Sequence, residues 1–425
     1  MKTHLCFKPG SLAIASVLFL TGFVVNIQAQ AQSAQGAPSA TVTPVKKDIV
    51  ADTLPVQPTT KPRRFTSAAH DTATSGALAE LGLDLMRQQS AATGNAQVNA
   101  VVSPLSLVSA LGMVHAGTAG ATARELASLL GSASAGERVY TTRMPVLLEQ
   151  LTKPGAAGTP FVMANRVWLD STVVAAIPAS YAAAVTSRFN ADAAMVQFAQ
   201  ATLARKTINA WVSQKTASRI AELMPEGSIT PNTKLVVTNA IHFKSKWAEP
   251  FNTAQTVPKP FQTAPNGPTK PVPTMVDERQ VRLGLIDNLM VMELPFAGQE
   301  FSLMVAVPPA GHTLNALETD LEGLDMASWS AQLKPTTCRL ELPKFSIEPA
   351  TRPLKASLQA LGVKTVFSSE ADLEPMLGRA GKGVALDNVY QSATIIIDEQ
   401  GAKPLPPPVP PWWPKRLPFH HPPAR

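Results

Sequence analysis

The carboxyl-terminal end limits the possible folds of this chain, because Pro404–Arg425 contains ten prolines in 22 residues. Proline has no backbone N–H to donate to a sheet, so it is confined to sheet edges and bulges. The stretch PLPPPVPPWWP therefore cannot form a central strand. The residues just before it, IIIDEQGA, are typical of a buried strand that ends in a polar turn. We predict that the folded domain ends at Ala402 and that 403–425 is an aberrant proline-rich tail.

The amino-terminal end has the layout of a secretory signal peptide over Met1–Ala31. Two lysines precede an apolar run, Leu12–Val25, and small residues follow, with cleavage expected near Ala29 or Ala31. The alternative is an uncleaved membrane anchor, but about fourteen apolar residues fall short of the ~20 that a spanning helix needs. We therefore predict an exported, soluble protein, periplasmic or extracellular, that does not use a membrane as a partner.

Net charge gives no support to a nucleic-acid partner. Residues 1–64 carry +5 and residues 403–425 carry +4, so of the total of +7 the middle, 65–402, keeps −2. A groove that binds nucleic acid would carry positive charge on the folded part. Residues 32–67 are rich in Ser, Thr, Ala and Pro, and we predict a disordered leader there.

The pattern of elements predicts an α+β domain over 68–402. Helical periodicity comes first, in GALAELGLDLMRQQS, in the segment after Ser103-Pro104 and in RKTINAWVSQKTASRIAELMP. The strands KLVVTNAIHF, VMELPF, FSLMVAVP, CRLELPKFSI and SATIIID follow. Helices that precede strands, without regular alternation, favour one domain in which amino-terminal helices pack on large, mostly antiparallel sheets.

No enzyme motif is present, and we predict that the protein is not an enzyme and uses no cofactor or metal. The HExxH and GxSxG patterns are missing, and GRAGKG lacks the spacing of a phosphate loop. Adjacent His420 and His421 supply half a metal site at most. Once Cys6 leaves with the signal peptide, Cys338 remains alone, so no internal disulfide is expected. A buried cysteine is favoured over a catalytic thiol there.

Four polar residues lie inside apolar segments. Ser103 and Ser106 open a helix, Asn239 interrupts LVVTNAIHF, and Gln391 precedes SATIII. Singly, each is read most simply as a satisfied cap or turn residue. Because a buried polar side chain is costly without a partner, together they predict a hydrogen-bonded cluster beneath a sheet. Such a cluster can hold two strands together or let them part.

Six ordered segments across 73–402 resemble the serpin family. They are NAVVSPLSLVSALGMVHAGTAGATAREL, INAWVSQKTASRIAELMP, LVVTNAIHFKSKWAEPF, VMELPFAGQEFSLMVAVP, LELPKFSIE with LKASLQALGV, and SATIIIDEQGA. The resemblance implies a shutter of Ser103, Ser106 and Asn239 under the main sheet, and Trp247 in the breach at its top. Where serpins read VVHKA this chain reads VYQSA, which places Gln391 at the usual histidine. Glutamine still donates and accepts hydrogen bonds, so we expect the shutter to be altered but not lost.

The resemblance also implies a mechanism and a partner. A serine endopeptidase, or alternatively a cysteine endopeptidase, attacks an exposed loop, and the freed loop inserts into the main sheet of a monomeric inhibitor. The hinge of that loop corresponds to Glu399, Gln400, Gly401 and Ala402. The prolines that follow cannot insert, and the two closing core strands of the family are missing. We therefore expect impaired inhibition, with a non-inhibitory serpin-fold binding protein as the alternative.

A frameshift explains this ending better than a functional tail does. Proline codons read one base earlier encode alanine whenever the preceding codon ends in G. If the codons before most positions end in G, as in a GC-rich gene, residues 404–425 read AAAAAGAAVVAEAAAVPPPAGA, which resembles the alanine-rich hinge of the family. The alternative is a real polyproline II tail that docks an aromatic groove. If the chain exists as written, we expect exposed sheet edges and poor folding.

Overall fold

The structure is a computed structural model of the 425-residue chain. It describes residues 5–7, 16–20, 23–27, 78, 81–88, 100–130, 144–152, 161–216, 218, 220, 222–262, 268–299, 301–307, 326–347, 352–391 and 395–403. The predicted disordered leader at 32–67 and the proline-rich tail from Pro404 onward lie outside these residues. What was predicted for them stays a prediction.

Most of the helices precede most of the strands of the sheets. The helices are α1 (81–88), α2 (Pro104–His115), α3 (Gly120–Leu129), α4 (Met144–Thr152), α5 (Ala179–Phe189), α6 (Ala201–Lys215), α7 (Met326–Gln332), α8 (Lys355–Ala360) and α9 (Glu374–Leu377). Helix α2 is buried on every side, because PLSLVSALGMV offers no charged face to water. Ser103 caps it, and Pro104 supplies the first helical residue, where a missing N–H costs nothing.

Eighteen strands lie in the described part of the chain. They are β1 (Leu5–Phe7), β2 (Ser16–Leu20), β3 (Phe23–Ile27), β4 (Ala100–Val102), β5 (Phe161–Asp170), β6 (Ala191–Val196), β7 (Leu235–Phe243), β8 (Ser245–Lys246), β9 (Val257–Gln262), β10 (Thr269–Ile286), β11 (Leu289–Pro295), β12 (Ser302–Val307), β13 (Lys334–Pro343), β14 (Phe345–Ile347), β15 (Arg352–Pro353), β16 (Tyr390–Gln391), β17 (Ile395–Asp398) and β18 (Gly401–Lys403).

The strands form four sheets. A nine-stranded sheet has the order β1-β13-β10-β11-β12-β2-β3-β4, with β9 paired to β10. A three-stranded sheet has the order β6-β5-β7, and a four-stranded sheet has the order β14-β17-β18-β8. Strands β15 and β16 pair separately. Apart from β1 with β13 and β5 with β6, these pairings are antiparallel. The predicted α+β class with mostly antiparallel sheets is confirmed.

A large apolar core joins most of the helices to these sheets, and a second, smaller core packs α6 on β5 and β7. The large core contains the buried side chains of α2, of β10–β13 and of β14, β17 and β18. The five strand segments predicted from the sequence all form strands, as β7, β11, β12, β13 with β14, and β17. No described helix is both long and apolar enough to cross a membrane.

The amino-terminal segment differs from the expectation of a leader lying outside the fold. In the unprocessed chain β1, β2 and β3 all belong to the nine-stranded sheet. Cys338 is fully buried as predicted, and in the unprocessed chain it is disulfide-bonded. The only other cysteine of the chain is Cys6, inside β1, whose strand runs beside β13. Removal of Met1–Ala31 stays a prediction, and the disulfide belongs to the intact chain.

Candidate functional site

The candidate site is a gap beside β7, between the three-stranded sheet and the four-stranded sheet. Strand β8 follows β7 after one residue, so the three-stranded sheet leads directly into the four-stranded one. At one end of the gap a parallel bridge joins Val237 of β7 to Val389. At the other end β18 lies between β17 and β8. In the described residues no strand pairs with the second side of β7 from Thr238 to Phe243. We call these the closed end and the occupied end.

A chain of buried polar side chains lies at the closed end. The Gln391 amide donates from Nε2 to the Ser103 carbonyl oxygen at 3.0 Å and accepts from the Ser103 N–H at 3.5 Å. The Ser103 hydroxyl oxygen accepts from the Ser106 N–H at 3.3 Å, which is the helix cap. One side chain from the segment that leads into β17 therefore binds both main-chain groups of a residue at the start of α2.

The same chain of hydrogen bonds continues into β7 and β5. The Ser106 hydroxyl donates to Oδ1 of Asn239, and Nδ2 of Asn239 donates to Oδ1 of Asn165. Nδ2 of Asn165 then donates to the carbonyl oxygen of Phe189 at 3.0 Å. Ser103, Ser106, Asn165, Asn239 and Gln391 are each 1–7% exposed, and we call them the polar cluster. The cluster ties α2 to both sides of the closed end.

The structure brings together the four residues that the sequence predicted for a shutter. It adds Asn165, which the sequence analysis missed. The signal was present, because Asn165 interrupts the apolar strand FVMANRVWL as Asn239 interrupts LVVTNAIHF. The Asn165 side chain lies between Asn239 and the Phe189 carbonyl oxygen, so its amide group both accepts and donates a hydrogen bond without carrying a charge. Whether the cluster controls parting of the strands stays a prediction.

The predicted hinge, Glu399–Ala402, lies at the occupied end. The main-chain oxygen of Glu399 accepts from the Phe251 N–H at 2.8 Å, and that of Gln400 accepts from the Trp247 N–H at 2.9 Å. Gly401 and Ala402 then pair with Lys246 and Ser245 on one side and with β17 on the other. The first residues after the turn are therefore already a central strand, and Ala402 is 1% exposed.

The Glu399 carboxylate is buried against a basic partner. Its oxygens accept from the Lys344 ammonium at 2.9 Å and from the Thr256 hydroxyl at 2.7 Å. Burial by itself would raise the pKa of the Glu399 carboxyl, but the hydrogen bonds from Lys344 and Thr256 outweigh it and leave the pKa below its usual value. The hinge is therefore fixed by a charged group at neutral pH.

Gly401 is the one hinge position that requires glycine. Its φ of +139° lies in a region that other residues rarely adopt. A Cβ added there would overlap the carbonyl oxygen of Ser245 and lie 2.7 Å from Cα of Lys246. Because both are main-chain atoms of β8, no side-chain movement can relieve the overlap. Strand β18 can approach β8 this closely only with glycine at 401.

Trp247 is buried at the occupied end. Its ring stacks on Phe296 with centroids 4.6 Å apart and meets Phe251 edge-on at 6.2 Å. Its indole N–H donates to the Asp398 carbonyl oxygen at 2.8 Å. The tryptophan that the resemblance places in the breach thus contacts the last residue of β17 beside the hinge. Its role in insertion stays a prediction.

Every predicted site residue lies at one end of the gap or the other. Ser103, Ser106, Asn239 and Gln391 lie at the closed end, and Trp247 with the hinge lies at the occupied end. The described residues contain no group of three or more His, Cys, Asp or Glu side chains that could hold a metal ion. His420 and His421 lie in the tail, outside the described residues.

Comparison with known proteins gives a consistent family. The family described as Serpin (serine protease inhibitor) matches residues 76–406. Leukocyte elastase inhibitor of Xenopus laevis is 30% identical over 317 residues, 73% of this chain and 82% of the relative. Serpin B9 of Homo sapiens is 31% identical over 317 residues, 73% and 81% of the two chains. A solved structure of thyroxine-binding globulin in complex with thyroxine has the same fold, with a TM-score of 0.70, 24% identity and coverage of 80% and 90%.

Proposed function

This chain belongs to the serpin family, and from that premise we propose that it descends from secreted inhibitors of serine endopeptidases that act by loop cleavage and insertion. We further propose that the proline-rich tail impairs insertion in this chain. Relatives named as elastase and protease inhibitors support a protease target rather than an activity of its own. The sequence of Met1–Ala31 supports export, to the periplasm or beyond.

The observation that carries the proposal is strand β18. Gly401 and Ala402 pair with two strands at once, so the sheet accepts the second half of the hinge as a central strand. Insertion of a cleaved loop would continue this strand along the open side of β7. Each added residue would exchange water for main-chain partners on both sides, which is the general driving force of strand addition.

The position of the first proline supports impairment. Pro404 follows directly after Lys403, the last residue of β18, and Pro406, Pro407 and Pro408 come next. Each lacks the N–H that a central strand must donate, so we expect a central strand to end where the prolines begin. The expected consequence is a chain that a protease cleaves as an ordinary substrate.

The polar cluster supports a role in opening the sheet. For a strand to enter beside β7, the closed end must let Val389 move away from Val237. Gln391 lies two residues beyond Val389 and holds Ser103, so its hydrogen bonds oppose that movement. Since the cluster has no charged member, it can break and re-form without a change of protonation near neutral pH.

A binding function is the second candidate, and the hinge gives it a specific basis. Proline beside the hinge is compatible with a scaffold that never inserts its loop. The solved thyroxine-binding globulin structure contains thyroxine on this fold. In this alternative the scaffold binds a ligand or partner and gains no stability when its carboxyl-terminal segment is cut.

The test uses the full chain and a variant in which each proline from 404 to 414 becomes alanine. Both chains keep Lys415 and Arg416, a cleavage site for trypsin. We expect trypsin to cut the unaltered chain without forming a complex that survives SDS. We expect the alanine variant to form that complex, because its loop has an N–H at every position. A matched control places the same number of alanines within 32–67.

The outcomes separate the proposals. An SDS-stable complex with the unaltered chain would refute impairment. If the alanine variant is cleaved, forms no complex and gains no thermal stability, inhibition by insertion is wrong and the binding alternative is favoured. Sequencing the 3′ end of the gene in both frames tests the frameshift, which requires a serpin-like ending in the other frame.

A further inference from the structure

The position of the amino-terminal hairpin is not explained by inhibition. Strand β2 pairs with β12 over Val17–Leu20 and Leu303–Ala306, and β3 pairs with β4 over Val24–Asn26 and Ala100–Val102. The two strands pair with each other from Ser16–Ile27 to Leu20–Phe23. The hairpin therefore fills a two-strand space between β12 and β4 in the nine-stranded sheet. We call this space the hairpin site.

Both walls of the hairpin site are built for an interior position. Leu303–Ala306 of β12 are 0–6% exposed on consecutive residues, so both faces of that strand are covered. Successive residues point to opposite faces, and a strand buried on both faces is typical of a sheet centre. Val101 and Val102 of β4 are 5% and 0% exposed. An unfilled site would leave the N–H and C=O groups of these buried strands without partners.

Strand β4 connects the hairpin site to the polar cluster. In the described sheet order β4 is a terminal strand and pairs with β3 alone. Ser103 follows β4 directly and caps α2, and α2 also packs against β3. The hairpin thus attaches β4, the strand that positions Ser103, to the rest of the nine-stranded sheet. Occupancy of the site should therefore affect the closed end of the gap.

The sequence of the segment suits a hairpin as well as a leader. Strands SVLFL and FVVNI are apolar and rich in β-branched and aromatic residues, which favour strands. Two residues, Thr21 and Gly22, separate them, the commonest length for a hairpin loop. Ser16–Ile27 carries no charge. A run of this kind fits a central strand pair with no buried charge to compensate.

A second observation places more of the same segment in the fold. Strand β1 lies parallel to β13, with Leu5 opposite Arg339 and Phe7 opposite Leu340. This contact is at the other end of the nine-stranded sheet from the hairpin site. Residues 5–7, 16–20 and 23–27 thus add strands at two separate places, which a detached leader would not do.

We propose that the space between β12 and β4 is a binding site for an apolar β-hairpin, and that Ser16–Ile27 occupies it in the unprocessed chain. Cleavage after Ala29 or Ala31, proposed above, would separate this hairpin from the domain. The unprocessed chain then has a complete nine-stranded sheet, and the processed chain has an open site of the same shape. The inference concerns the scaffold and does not depend on inhibition of a protease.

Disulfide cross-linking of the full chain tests the register. The chain is produced without export, with Cys6 and Cys338 changed to serine. One variant carries Leu18→Cys with Val305→Cys and a second carries Phe19→Cys with Met304→Cys, each a directly opposed pair. Neighbouring pairs alternate in their hydrogen bonding, so one of the two has the shorter Cβ separation. The control, Phe19→Cys with Val305→Cys, places the thiols on opposite faces.

After oxidation with copper phenanthroline, we expect one of the opposed pairs to form an intramolecular disulfide at least ~5-fold more completely than the control. Thiol labelling before and after reduction measures it. Cross-linked dimers would mean that a second copy supplies the hairpin and would refute occupation in cis. Equal, low cross-linking in all three variants would refute the site itself.

A stability measurement completes the test. Leu18→Pro removes a ladder donor from the centre of the sheet, whereas Ala13→Pro changes the same apolar run outside β2. We expect Leu18→Pro to lower Tm by roughly 5 °C or more and Ala13→Pro to lower it by less than roughly 1 °C. Equal shifts would contradict the proposal. If Leu18→Pro fails to fold while Ala13→Pro folds, that outcome supports it.

Discussion

The two ends of the gap are held in different ways. At the closed end, neutral side chains from α2, β5, β7 and the segment before β17 bind one another in one buried chain. At the occupied end, main-chain pairing of β18 is reinforced by a half-buried ion pair and a stacked tryptophan. The closed end depends on hydrogen bonds between buried side chains from several elements. The occupied end depends on one short strand, β18, so we expect a substitution there to have a local effect.

The largest effect is expected from Asn239→Ala at the closed end. The change removes the partner of the buried Ser106 hydroxyl and the Asn239 donor to Oδ1 of the buried Asn165 side chain. At about 1–3 kcal/mol for each unsatisfied group, we expect the free energy of unfolding to fall by about 3 kcal/mol. Denaturant unfolding measures it. The matched control is Asn232→Ala, an exposed asparagine in the turn before β7. A loss no larger than that of the control would mean that the polar cluster does not stabilise the closed end.

Gly401→Ala should have the next largest effect, and it should be local. The added Cβ overlaps the main chain of β8, so β18 must leave its place between β17 and β8. Because β18 leaves the sheet, the loss of unfolding free energy is limited to what that strand contributes, about 2 kcal/mol. Hydrogen exchange should show faster exchange at 401–403, while the amides of β5 and β7 keep their protection.

Gly227→Ala is the control for Gly401→Ala. Gly227 also has a positive φ, of +78°, but a Cβ there meets nothing within 4 Å. It therefore reports the backbone strain without the overlap. If both glycine variants exchange alike, the close approach of β18 and β8 is not what makes Gly401 necessary.

Glu399→Gln should have a smaller effect that depends on pH. The folded-state pKa of Glu399 lies below the ordinary value of 4.5, so its stabilisation is fully present above about pH 4.5 and is lost as the pH falls through the folded pKa. We expect the variant to lose about 1 kcal/mol at pH 7 and to be less sensitive to acid. Thermal unfolding of both chains from pH 7 to pH 3 measures this.

The difference between the two chains isolates Glu399. Two other carboxylates also have lowered pKa values, and both remain in the variant. Asp170 lies beside Lys234, and Glu125 accepts hydrogen bonds from the N–H groups of residues 364 and 365. Parallel Tm profiles for the two chains across this range would show that the Lys344 contact contributes nothing to the occupied end.

The sequence indicated members of the polar cluster where one polar residue lies inside an apolar run. Asn239 and Gln391 were found because a buried amide inside an apolar run requires a partner. Asn165 gives a weaker signal, because Arg166 follows it and the strand β5 is less uniformly apolar there. Pairing across strands brings the two together, and no local pattern contains that information.

The amino-terminal segment shows why the rest could not be predicted. An apolar run such as Leu12–Val25 fits a leader and a pair of central strands equally well, because periodicity does not separate them. Only the space between β12 and β4, some 75 residues or more away in sequence, distinguishes the two. The prediction that Cys338 forms no internal disulfide applies to a chain without Cys6, and the disulfide is a property of the unprocessed chain.

The smallest effect is expected from Gln391→His, which restores the residue usual in the family. Imidazole can keep one contact to Ser103, so at pH 8 we expect the free energy of unfolding to change by less than about 1 kcal/mol. The Ser103 N–H also donates to this side chain, and a cationic ring cannot accept it. Burial opposes the charge as well, so the pKa of the new histidine should fall below about 6.5 in the folded state.

A histidine with a lowered pKa stabilises the fold above about pH 6.5, and that stability is lost as the pH falls. We therefore expect Gln391→His to unfold more readily at pH 5.5 than at pH 8, while the unaltered chain changes little over that range. Urea midpoints at the two pH values measure the difference. Identical midpoints for the histidine variant would show that position 391 has no contact sensitive to charge, and the polar cluster would then depend on Asn239 instead.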